Sequence, residues 1–388
     1  MNVADDPTPP ADAPATQTMH PTHRRMVLRV ILVTHVVLAL LTGVGVAVGY
    51  HQLNGNIETL PGIPDEVDRP DKVKVEGPKQ PINILIMGSD TRAGEGNGID
   101  REAGAGGSDT TILLHISADR QDAYGVSLPR DALVDRPECV MGNGEKVPGE
   151  KLAMFNDAFL VGGPLCTVQM VEKLTDIRID HQVVVDFNGF KDMVDAVDGV
   201  EVCIPKDVDD DRHNIHFDAG KQTLSGRQAL NYVRERYVLS LTGDIGRMKR
   251  QQAFIASMIN KVVSAGTLSR PDRVYNFLDA ATSSLMLDEE LANLPALVDL
   301  ARQFKNTGLD DIKFITVPFA EYEPDPNRLV WTDKADDLWE RIRNDRRLGR
   351  EFSGGSVSAG DPVGTPSGGE SSQNEEKAAE RLAAGLCA

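Results

Sequence analysis

The chain has 388 residues, 40% of them hydrophobic, and is long enough to bury a core in one large domain or two modest ones. Its 59 acidic residues outnumber its 41 basic residues, which gives a formal net charge of −18. A surface of this sign repels phosphate-rich polymers, so no nucleic-acid partner is expected. An anionic ligand needs a locally basic pocket or a bound cation.

The first predicted element is a membrane-spanning helix over residues 26–50. The run from Met26 to Tyr50 holds about 23 mostly apolar residues, enough to cross the hydrocarbon core of a bilayer. Basic residues flank its N-terminal side: Arg24, Arg25 and Arg29. The positive-inside rule then places the N-terminus in the cytoplasm and everything after Tyr50 outside the cell. A cleaved signal peptide is the alternative, but the Pro- and Ala-rich segment before the apolar run is longer than a normal signal-peptide start.

Composition divides the rest of the chain into one folded region between polar segments. Residues 1–25 are rich in Pro, Ala and Thr, which predicts a disordered cytoplasmic tail. Residues 51–80 contain four prolines and no helical period, which favours an extended stalk. Residues 351–388 are largely Gly- and Ser-rich and are expected to form a flexible tail. The folded domain is therefore predicted at 81–350.

Short apolar runs that end at Gly or Pro intermix with segments of helical spacing in this domain. Strands are predicted at 82–88, 110–118 and 123–129, and again in QVVVDF, GVEVCIP and DIKFITVP. Helical spacing occurs in KLAMFNDAFLVG, LCTVQMVEKLTD, NGFKDMVDAV and RMKRQQAFIASMINKVVS. The mixture predicts a layered α/β domain.

The four cysteines all follow the predicted anchor, and disulfides are permitted outside the cytoplasm. Cys139 and Cys166 lie in loop-like surroundings and are the better candidates for a disulfide. Cys203 lies in an apolar alternating run, which favours a small buried side chain. Cys387 lies in the expected flexible tail and is predicted to pair with nothing.

Two short acidic loops lie at the ends of predicted strands. MGSDTR follows the first strand and GGSDTT precedes the second, so Asp90 and Asp109 approach the same point if these strands are neighbours. Paired carboxylates suit a hard cation such as Mg²⁺. Taken alone, each loop is also explained by an Asx turn. SLPRD places Arg130 at the end of the third strand, where ligands bind in α/β folds, although Asp131 offers a simple ion-pair partner.

The stretch LNYVRER places two arginines at the end of a predicted short helix. On a continued helix, Arg234 and Arg236 would point in nearly opposite directions, whereas in an extended segment they share a face. If both arginines bind one ligand, the chain must leave the helix near Val233.

The following stretch, TGDIGRMKRQQ, predicts the start of another helix. Asp244 is a suitable N-cap, and Arg247 and Gln251 then lie on one face near the positive end of the helix dipole. The planar guanidinium of Arg247 can hold phosphate oxygens with two hydrogen bonds. Arg250 lies one residue off this line. A solvated basic face is the alternative interpretation.

Seven motifs in this order resemble the LytR-CpsA-Psr family of cell-wall enzymes: NILIMGSDTR, GGSDTT, SLPRD, MFNDAFLVGGP, VDFNGFKDMVDAVDGVEV, AGKQTLSGRQALNYVRER and GDIGRMKRQQ. The resemblance covers residues 82–265. It implies a layered α/β/α domain with a central mixed β-sheet, preceded by one transmembrane helix. It also implies a phosphotransferase that moves a glycopolymer from a polyprenyl-(pyro)phosphate carrier to peptidoglycan at the cytoplasmic membrane. A Rossmann domain is excluded, since no Gly-rich phosphate fingerprint follows the first strand.

The resemblance assigns roles to the candidate residues. Asp90 and Asp109 would hold Mg²⁺, or Mn²⁺ in its place. The residues that would grip the pyrophosphate are Arg130, Arg234, Arg236 and Arg247. The supporting substrate contacts would be Arg92, Arg250 and Gln251. The polyprenyl tail would need an apolar groove, for which the candidate linings are Phe155, Phe159, Val168 and Val171, or Phe254 and Met258.

Three alternative functions stay open at this stage. A hydrolase would use water in place of the sugar hydroxyl at the same site. A non-catalytic protein that binds the carrier lipid or the cell wall would need the arginines but not the aspartates. A transcriptional regulator would use the basic helix GRMKRQQ, which the predicted topology places outside the cytoplasm.

Overall fold

A computed structural model describes residues 21–89, 107–211, 215–236, 238–361 and 372–387. The chain forms two compact units, Met1–His51 and Gln52–Ala388. Helix α1 (Pro21–Gly55) contains a span of 31 residues, from Arg25 on, in which an 18-residue stretch has a mean hydropathy of 2.4, and it is long and apolar enough to cross a membrane. Its large apolar side chains are exposed, unlike those of a core helix in a globular protein. This helix supports the predicted membrane anchor.

The second unit is built on a mixed β-sheet with the strand order β1-β14-β9-β2-β3-β4-β15-β18 among the described residues. Pairs β1/β14, β9/β2 and β4/β15 are parallel, and the other neighbours are antiparallel. The strands of this sheet are β1 (Glu58–Thr59), β2 (Ile82–Ser89), β3 (Ser108–Ile116), β4 (Ala123–Leu128), β9 (His181–Val185), β14 (Leu285–Leu287), β15 (Ile312–Thr316) and β18 (Val357–Ser358).

Five antiparallel two-stranded pairs surround the main sheet in the described part of the chain: β5/β8, β6/β7, β10/β13, β11/β12 and β16/β17. Their strands are β5 (Leu133–Arg136), β6 (Cys139–Val140), β7 (Lys146–Val147), β8 (Glu150–Met154), β10 (Val200–Ile204), β11 (Val208–Asp210), β12 (Ile215–Phe217), β13 (Gly220–Leu224), β16 (Phe319–Tyr322) and β17 (Asp325–Trp331). The helices after α1 are α2 (Asp157–Thr175), α3 (Phe187–Ala196), α4 (Gly226–Arg234), α5 (Asp244–Val263), α6 (Ala265–Leu268), α7 (Pro271–Ser284), α8 (Leu294–Gln303), α9 (Asp333–Arg343), α10 (Arg350–Ser353) and α11 (Ser372–Ala383).

Side chains alternate between the two faces of the main sheet, and helices cover both faces. Leu85 and Met87 of β2 belong to a buried cluster with side chains of α2 and α9. Ile86, which lies between them in sequence, faces a cavity lined by α3, α4 and α5. The alternation is the period of two that a strand imposes. The result is the layered α/β/α domain with a central mixed sheet that the sequence predicted.

One local prediction differs from the structure. Residues 151–155, predicted as the start of a helix, are mostly part of β8, because pairing with β5 gives this short apolar run a strand partner. The rest of that segment and the next predicted helical segment lie in α2, which is divided before Pro164 by the non-helical backbone of Gly163 (φ 60°, ψ −154°), at the boundary between the two predicted segments.

From Gln52 on, the segment predicted as an extended stalk is part of the second unit. Glu58 and Thr59 pair with β14, and Leu60 is buried in the core. Further along, Arg69 donates hydrogen bonds to the buried carboxylate of Glu172. The prolines therefore shape an ordered segment that follows the surface of the domain rather than a free spacer.

The structure contains two disulfides, Cys139–Cys166 and Cys203–Cys387. The first is the pair that the sequence favoured. The second shows that the prediction of an unpaired Cys387 is wrong, because the partners lie 184 positions apart and only folding brings them together. Residues 372–387 also differ from the expected flexible tail, since they form α11 and then a bonded end segment.

Candidate functional site

Asp109 and Arg130 meet at one edge of the main sheet. Asp109 is the second residue of β3, and Arg130 follows the end of β4, the antiparallel neighbour of β3. Because β3 begins where β4 ends, both side chains leave the sheet at the same edge. Nη1 of Arg130 donates a hydrogen bond to Oδ1 of Asp109. Nε of Arg130 lies 3.5 Å from Oδ2 of Asp131, so Arg130 also forms the ion pair with Asp131 that the sequence offered.

Helix α5 brings Arg247 to the same carboxylate. Gly243, with a φ of 55°, precedes the helix, so the cap lies one residue before the predicted Asp244. Nη2 of Arg247 lies 2.8 Å from Oδ1 of Asp244 and donates to the backbone oxygen of Asp109 at 3.4 Å. Its Nη1 lies 3.8 Å from Oδ1 of Asp109. Arg247 is only 1% exposed, so its charge is buried beside these carboxylates.

Helix α4 ends at the position that convergence of Arg234 and Arg236 requires. Its last residue is Arg234, and Glu235 has an extended backbone (φ −60°, ψ 136°). The carboxylate of Glu235 then accepts hydrogen bonds from the backbone nitrogens of Val238, at 2.7 Å, and Leu239, at 2.8 Å. These bonds shape the connection that leads towards α5.

The charges of the site act strongly on one another. Burial raises the pKa of Asp109, but the charges of Arg247 and Arg130 outweigh burial and hold the pKa below its ordinary value. The charge of Arg236 acts in the same direction. Burial lowers the pKa of Arg247; Asp244 opposes the shift, and the charge of Arg130 adds to it. Because arginine keeps its charge near neutral pH, these crowded cations favour an anion between them.

Several polar atoms of the site have unmet hydrogen-bonding capacity. Nε of Arg130 and Nε of Arg247 are buried and have no hydrogen-bond partner among the described residues. Oδ1 of Asp244 also makes no hydrogen bond with the described residues. Its 2.8 Å contact with Nη2 of Arg247 is an ion pair without hydrogen-bond geometry. The carboxylates of Asp109 and Asp244 are the hard oxygen donors that Mg²⁺ prefers, so the donor set fits such a cation.

An apolar cavity of about 280 Å³ adjoins the charged residues. Asp109, Arg234 and Gln251 line it together with apolar side chains of α3, α4, α5 and the main sheet. Along α5, Gln251 comes first, and Phe254 and Met258 follow towards the C-terminus. The polar lining therefore lies at the arginine cluster, and the lining becomes apolar with distance from it. This arrangement suits an amphiphilic ligand with an anionic head and an apolar tail.

The remaining predicted residues have different placements. Nε2 of Gln251 donates to the backbone oxygen of Val233 at 3.1 Å, which ties α5 to α4. Arg250 is fully buried and bonded to the backbone, which differs from the expected contact with substrate. Asp90 and Arg92 lie outside the described residues. Phe254 and Met258 line the cavity, whereas the other predicted linings lie in the core cluster on the opposite face of the sheet: Phe155, Phe159, Val168 and Val171.

Sequence reasoning missed the aromatic support of Arg234. The guanidinium carbon of Arg234 lies 4.4 Å from the centroid of the Phe187 ring, at the start of α3. Stacking on the ring face stabilises and orients a cation. The available signal was the motif VDFNGF, in which an aromatic residue follows the end of β9 after one intervening residue, Asp186.

Comparison with known proteins decides the family of this domain. Residues 53–344 match the family model of the LytR_cpsA_psr family. The chain belongs to the LytR-CpsA-Psr family. Its catalogued relatives include cell wall biosynthesis protein LcpA of Corynebacterium glutamicum, 32% identical over 263 residues, a match that covers 61% of this chain and 49% of that protein. The chain thus spans about half the length of this relative.

Other members of the LytR-CpsA-Psr family match over more of their length. The polyisoprenyl-teichoic acid–peptidoglycan teichoic acid transferase TagU of Oceanobacillus iheyensis is 30% identical over 272 residues, covering 68% of this chain and 77% of that protein. The crystal structure of Bacillus subtilis TagT aligns with a TM-score of 0.52 and 23% identity, covering 74% of this chain and 99% of that structure. At this identity the likeness to TagT concerns the fold.

Proposed function

We propose that this protein is a membrane-anchored phosphotransferase that moves a glycopolymer from a polyprenyl-pyrophosphate carrier to peptidoglycan, with its α/β domain outside the cytoplasm. The observation that carries the proposal is the position of the arginine cluster at the polar end of the apolar cavity. A polyprenyl pyrophosphate has the matching chemistry, with two phosphates at one end and a hydrocarbon chain at the other. The name of the relative TagU, a polyisoprenyl-teichoic acid–peptidoglycan teichoic acid transferase, supports the same substrate class.

The cavity sets how much of the carrier the domain can enclose. Its volume of about 280 Å³ lies just below the roughly 300–1,000 Å³ range of ligand pockets. The cavity can therefore hold the part of the hydrocarbon chain next to the phosphates, and the rest of a long chain stays outside it. A carrier lipid that remains partly in the bilayer meets this condition.

The arginines would bind the pyrophosphate and stabilise the charge that develops on it. In the proposed reaction, the acceptor hydroxyl oxygen attacks the phosphorus next to the glycan and forms a new P–O bond. The P–O bond to the second phosphate breaks, and polyprenyl monophosphate leaves with its electron pair. Positioned positive charge is the main requirement of phosphoryl transfer. Arg130 supplies it from a half-buried position and Arg247 from a buried one, and each is paired with a carboxylate.

A divalent cation would add to this charge neutralisation. We propose that Asp109 holds Mg²⁺ or Mn²⁺ together with Asp90, which follows Ser89 of β2 in sequence. The pairing of Ser89 with Ser108 places the end of β2 next to the start of β3 and supports this assignment. When bound, the cation would neutralise phosphate oxygens, and Asp109 would orient it. We also propose Asp90 as the base that takes the proton of the acceptor hydroxyl.

A transfer assay with purified full-length protein in detergent tests the proposal. The protein is incubated with a polyprenyl-pyrophosphoryl glycan, Mg²⁺ and a peptidoglycan oligomer, and the products are identified by mass spectrometry. A linked glycan-phosphate-peptidoglycan product is expected. Release of phosphorylated glycan without linkage would instead identify a hydrolase. Binding of the carrier without any product would identify a binding protein.

A further inference from the structure

We propose that Arg250 is a positioning residue that couples the C-terminal segment of the chain to the arginine-bearing loop of the site. We call residues 372–387 the supporting tail and residues 235–243, between α4 and α5, the site loop. The inference concerns the same site as the proposed function and rests on that proposal for its catalytic consequence. Its structural part stands on contacts within the described residues.

Arg250 joins the site loop and the supporting tail through one side chain. Nη2 donates a hydrogen bond to the backbone oxygen of Glu235, the first residue of the site loop. Nη1 donates to the backbone oxygen of Ala384 in the supporting tail, at 2.9 Å. The side chain has no exposed surface, so no bulk solvent replaces either bond. A planar guanidinium can serve both oxygens at a fixed spacing, which an ammonium cannot do.

The supporting tail also contacts the site loop directly. The backbone nitrogen of Leu241 donates to the oxygen of Ala383 at 2.8 Å. Gly385 has a φ of 79°, and a Cβ added there would collide with the backbone oxygen of Leu239. The close approach therefore requires glycine at this position. The tail thus contacts the backbone of the site loop at Leu239 and Leu241, and it is linked to Glu235 through Arg250.

The tail is held in place by bonds that lie away from the site loop. Cys387 is bonded to Cys203 of β10. Within the tail, the backbone oxygen of Cys387 accepts a hydrogen bond from Nε of Arg381 at 2.9 Å. Glu380 pairs with Lys249 of α5. A segment of this length cannot form a core of its own, so the disulfide to Cys203 and the ion pair with Lys249 tie it to the rest of the domain.

Release of the tail would affect the site because the site loop carries one of its arginines and leads to another. Arg236 lies within the site loop, and Arg247 follows the loop by one turn of α5. If the tail is released, Arg250 loses one acceptor and the loop loses the bond at Leu241. Misplacement of binding groups by about 1 Å can cost up to about 10²-fold in rate. The cavity is lined by other residues, so its affinity for hydrocarbon should not change with the tail.

The experiment compares removal of each disulfide in the full-length protein. Cys203→Ser/Cys387→Ser releases the tail, and Cys139→Ser/Cys166→Ser is the matched control, because that bond lies with the core cluster on the opposite face of the sheet. Binding of farnesyl pyrophosphate and of farnesol is measured by calorimetry, well below the melting temperature of each variant. Farnesyl pyrophosphate tests the anionic site, and farnesol tests the cavity alone.

We expect release of the tail to weaken farnesyl pyrophosphate binding about tenfold and to leave farnesol binding within about twofold. Arg250→Lys keeps the positive charge but loses the planar guanidinium that donates to two oxygens. It should give the same selective loss of farnesyl pyrophosphate binding. The control should change neither affinity by more than about twofold. Three results would each overturn the proposal: equal losses of affinity for both ligands, equal effects of removing either disulfide, and wild-type binding after release of the tail.

Hydrogen exchange separates this inference from the proposed function. Release of the tail should speed exchange at the amide of Leu241, which donates to Ala383, more than at the amide of Val126 in the central sheet. This result does not depend on any substrate. If the wild-type protein binds no pyrophosphate, the proposed function fails, while faster exchange at Leu241 still supports the coupling. Unchanged exchange at Leu241 would overturn it.

Discussion

Asp109 accepts a hydrogen bond from Arg130 and lies 3.8 Å from Nη1 of Arg247, so one carboxylate joins two arginines from different elements. Arg130 comes from the end of β4, and Arg247 comes from the first turn of α5. The carboxylate therefore sets the spacing between two cations that would otherwise repel each other. This role is separate from any role in holding a metal.

Asp109→Asn should lower transfer activity by about 10²-fold or more, because the amide keeps the shape of the side chain but loses its charge. The neighbouring Asp131→Asn, whose carboxylate lies on the other side of Arg130, is the control and should cost less. Initial rates of linked product, measured by mass spectrometry, compare the two variants. A D109N protein with wild-type rates would remove Asp109 from both the metal site and the arginine cluster.

Arg247→Lys should lower activity by about 10²-fold, because lysine cannot hold two phosphate oxygens in the guanidinium geometry. Arg302→Lys is a suitable control, since Arg302 lies on α8 and is well exposed. Steady-state kinetics with the glycan carrier compare the two substitutions. Retention of full activity by R247K would show that Arg247 acts as a point charge.

Met258→Glu should weaken binding of farnesyl pyrophosphate at least about tenfold and leave binding of inorganic pyrophosphate unchanged. The substitution places a carboxylate in the apolar part of the cavity, where it opposes hydrocarbon. Val298→Glu introduces the same charge on an exposed position of α8 and serves as the control. Calorimetry with the two ligands gives the result. Equal affinities of M258E and wild type for farnesyl pyrophosphate would place the hydrocarbon elsewhere.

Removal of divalent cations should abolish transfer and leave farnesol binding unchanged. EDTA treatment followed by titration with Mg²⁺ or Mn²⁺ tests this, because the hard oxygen donors at the sheet edge suit both ions. Restoration of activity should require less metal in the wild type than in Asp109→Asn. Full activity of the chelated protein would refute the proposed cation requirement.

Stability should fall as pH rises above the ordinary pKa of histidine. Burial lowers the pKa of His181, but the hydrogen bond and charge of Asp288, helped by Asp180 and Glu290, outweigh burial and raise it. A raised pKa in the folded state means that the stabilisation is complete below about pH 6.5 and is lost as pH rises through the folded value.

Thermal melting of the wild type between about pH 6 and pH 8 should show this loss, and His181→Gln should reduce it. The comparison should be made between the two proteins at each pH, since other groups also titrate. The same slope in both proteins would show that His181 is not responsible.

The sequence by itself determined the parts of this protein that depend on local pattern. A long apolar run with flanking arginines defined the membrane helix, and short apolar runs ended by Gly or Pro located most strands of the main sheet. The position of Arg234 and Arg236 required a helix end, and α4 ends at Arg234. These features follow from side-chain period and backbone geometry over a few residues.

Only the tertiary structure decided which distant residues meet. Cys387 is bonded to Cys203. Arg250 donates to a backbone oxygen of the site loop and does not face the site, although Arg247 and Gln251 on the same helix line the site or its cavity. A helix turns by about 100° per residue, so neighbouring residues such as Arg250 and Gln251 can face different surroundings, here a buried backbone carbonyl and the cavity. Which of these surroundings each arginine meets depends on packing partners from elsewhere in the chain, and no local pattern in the sequence contains that information.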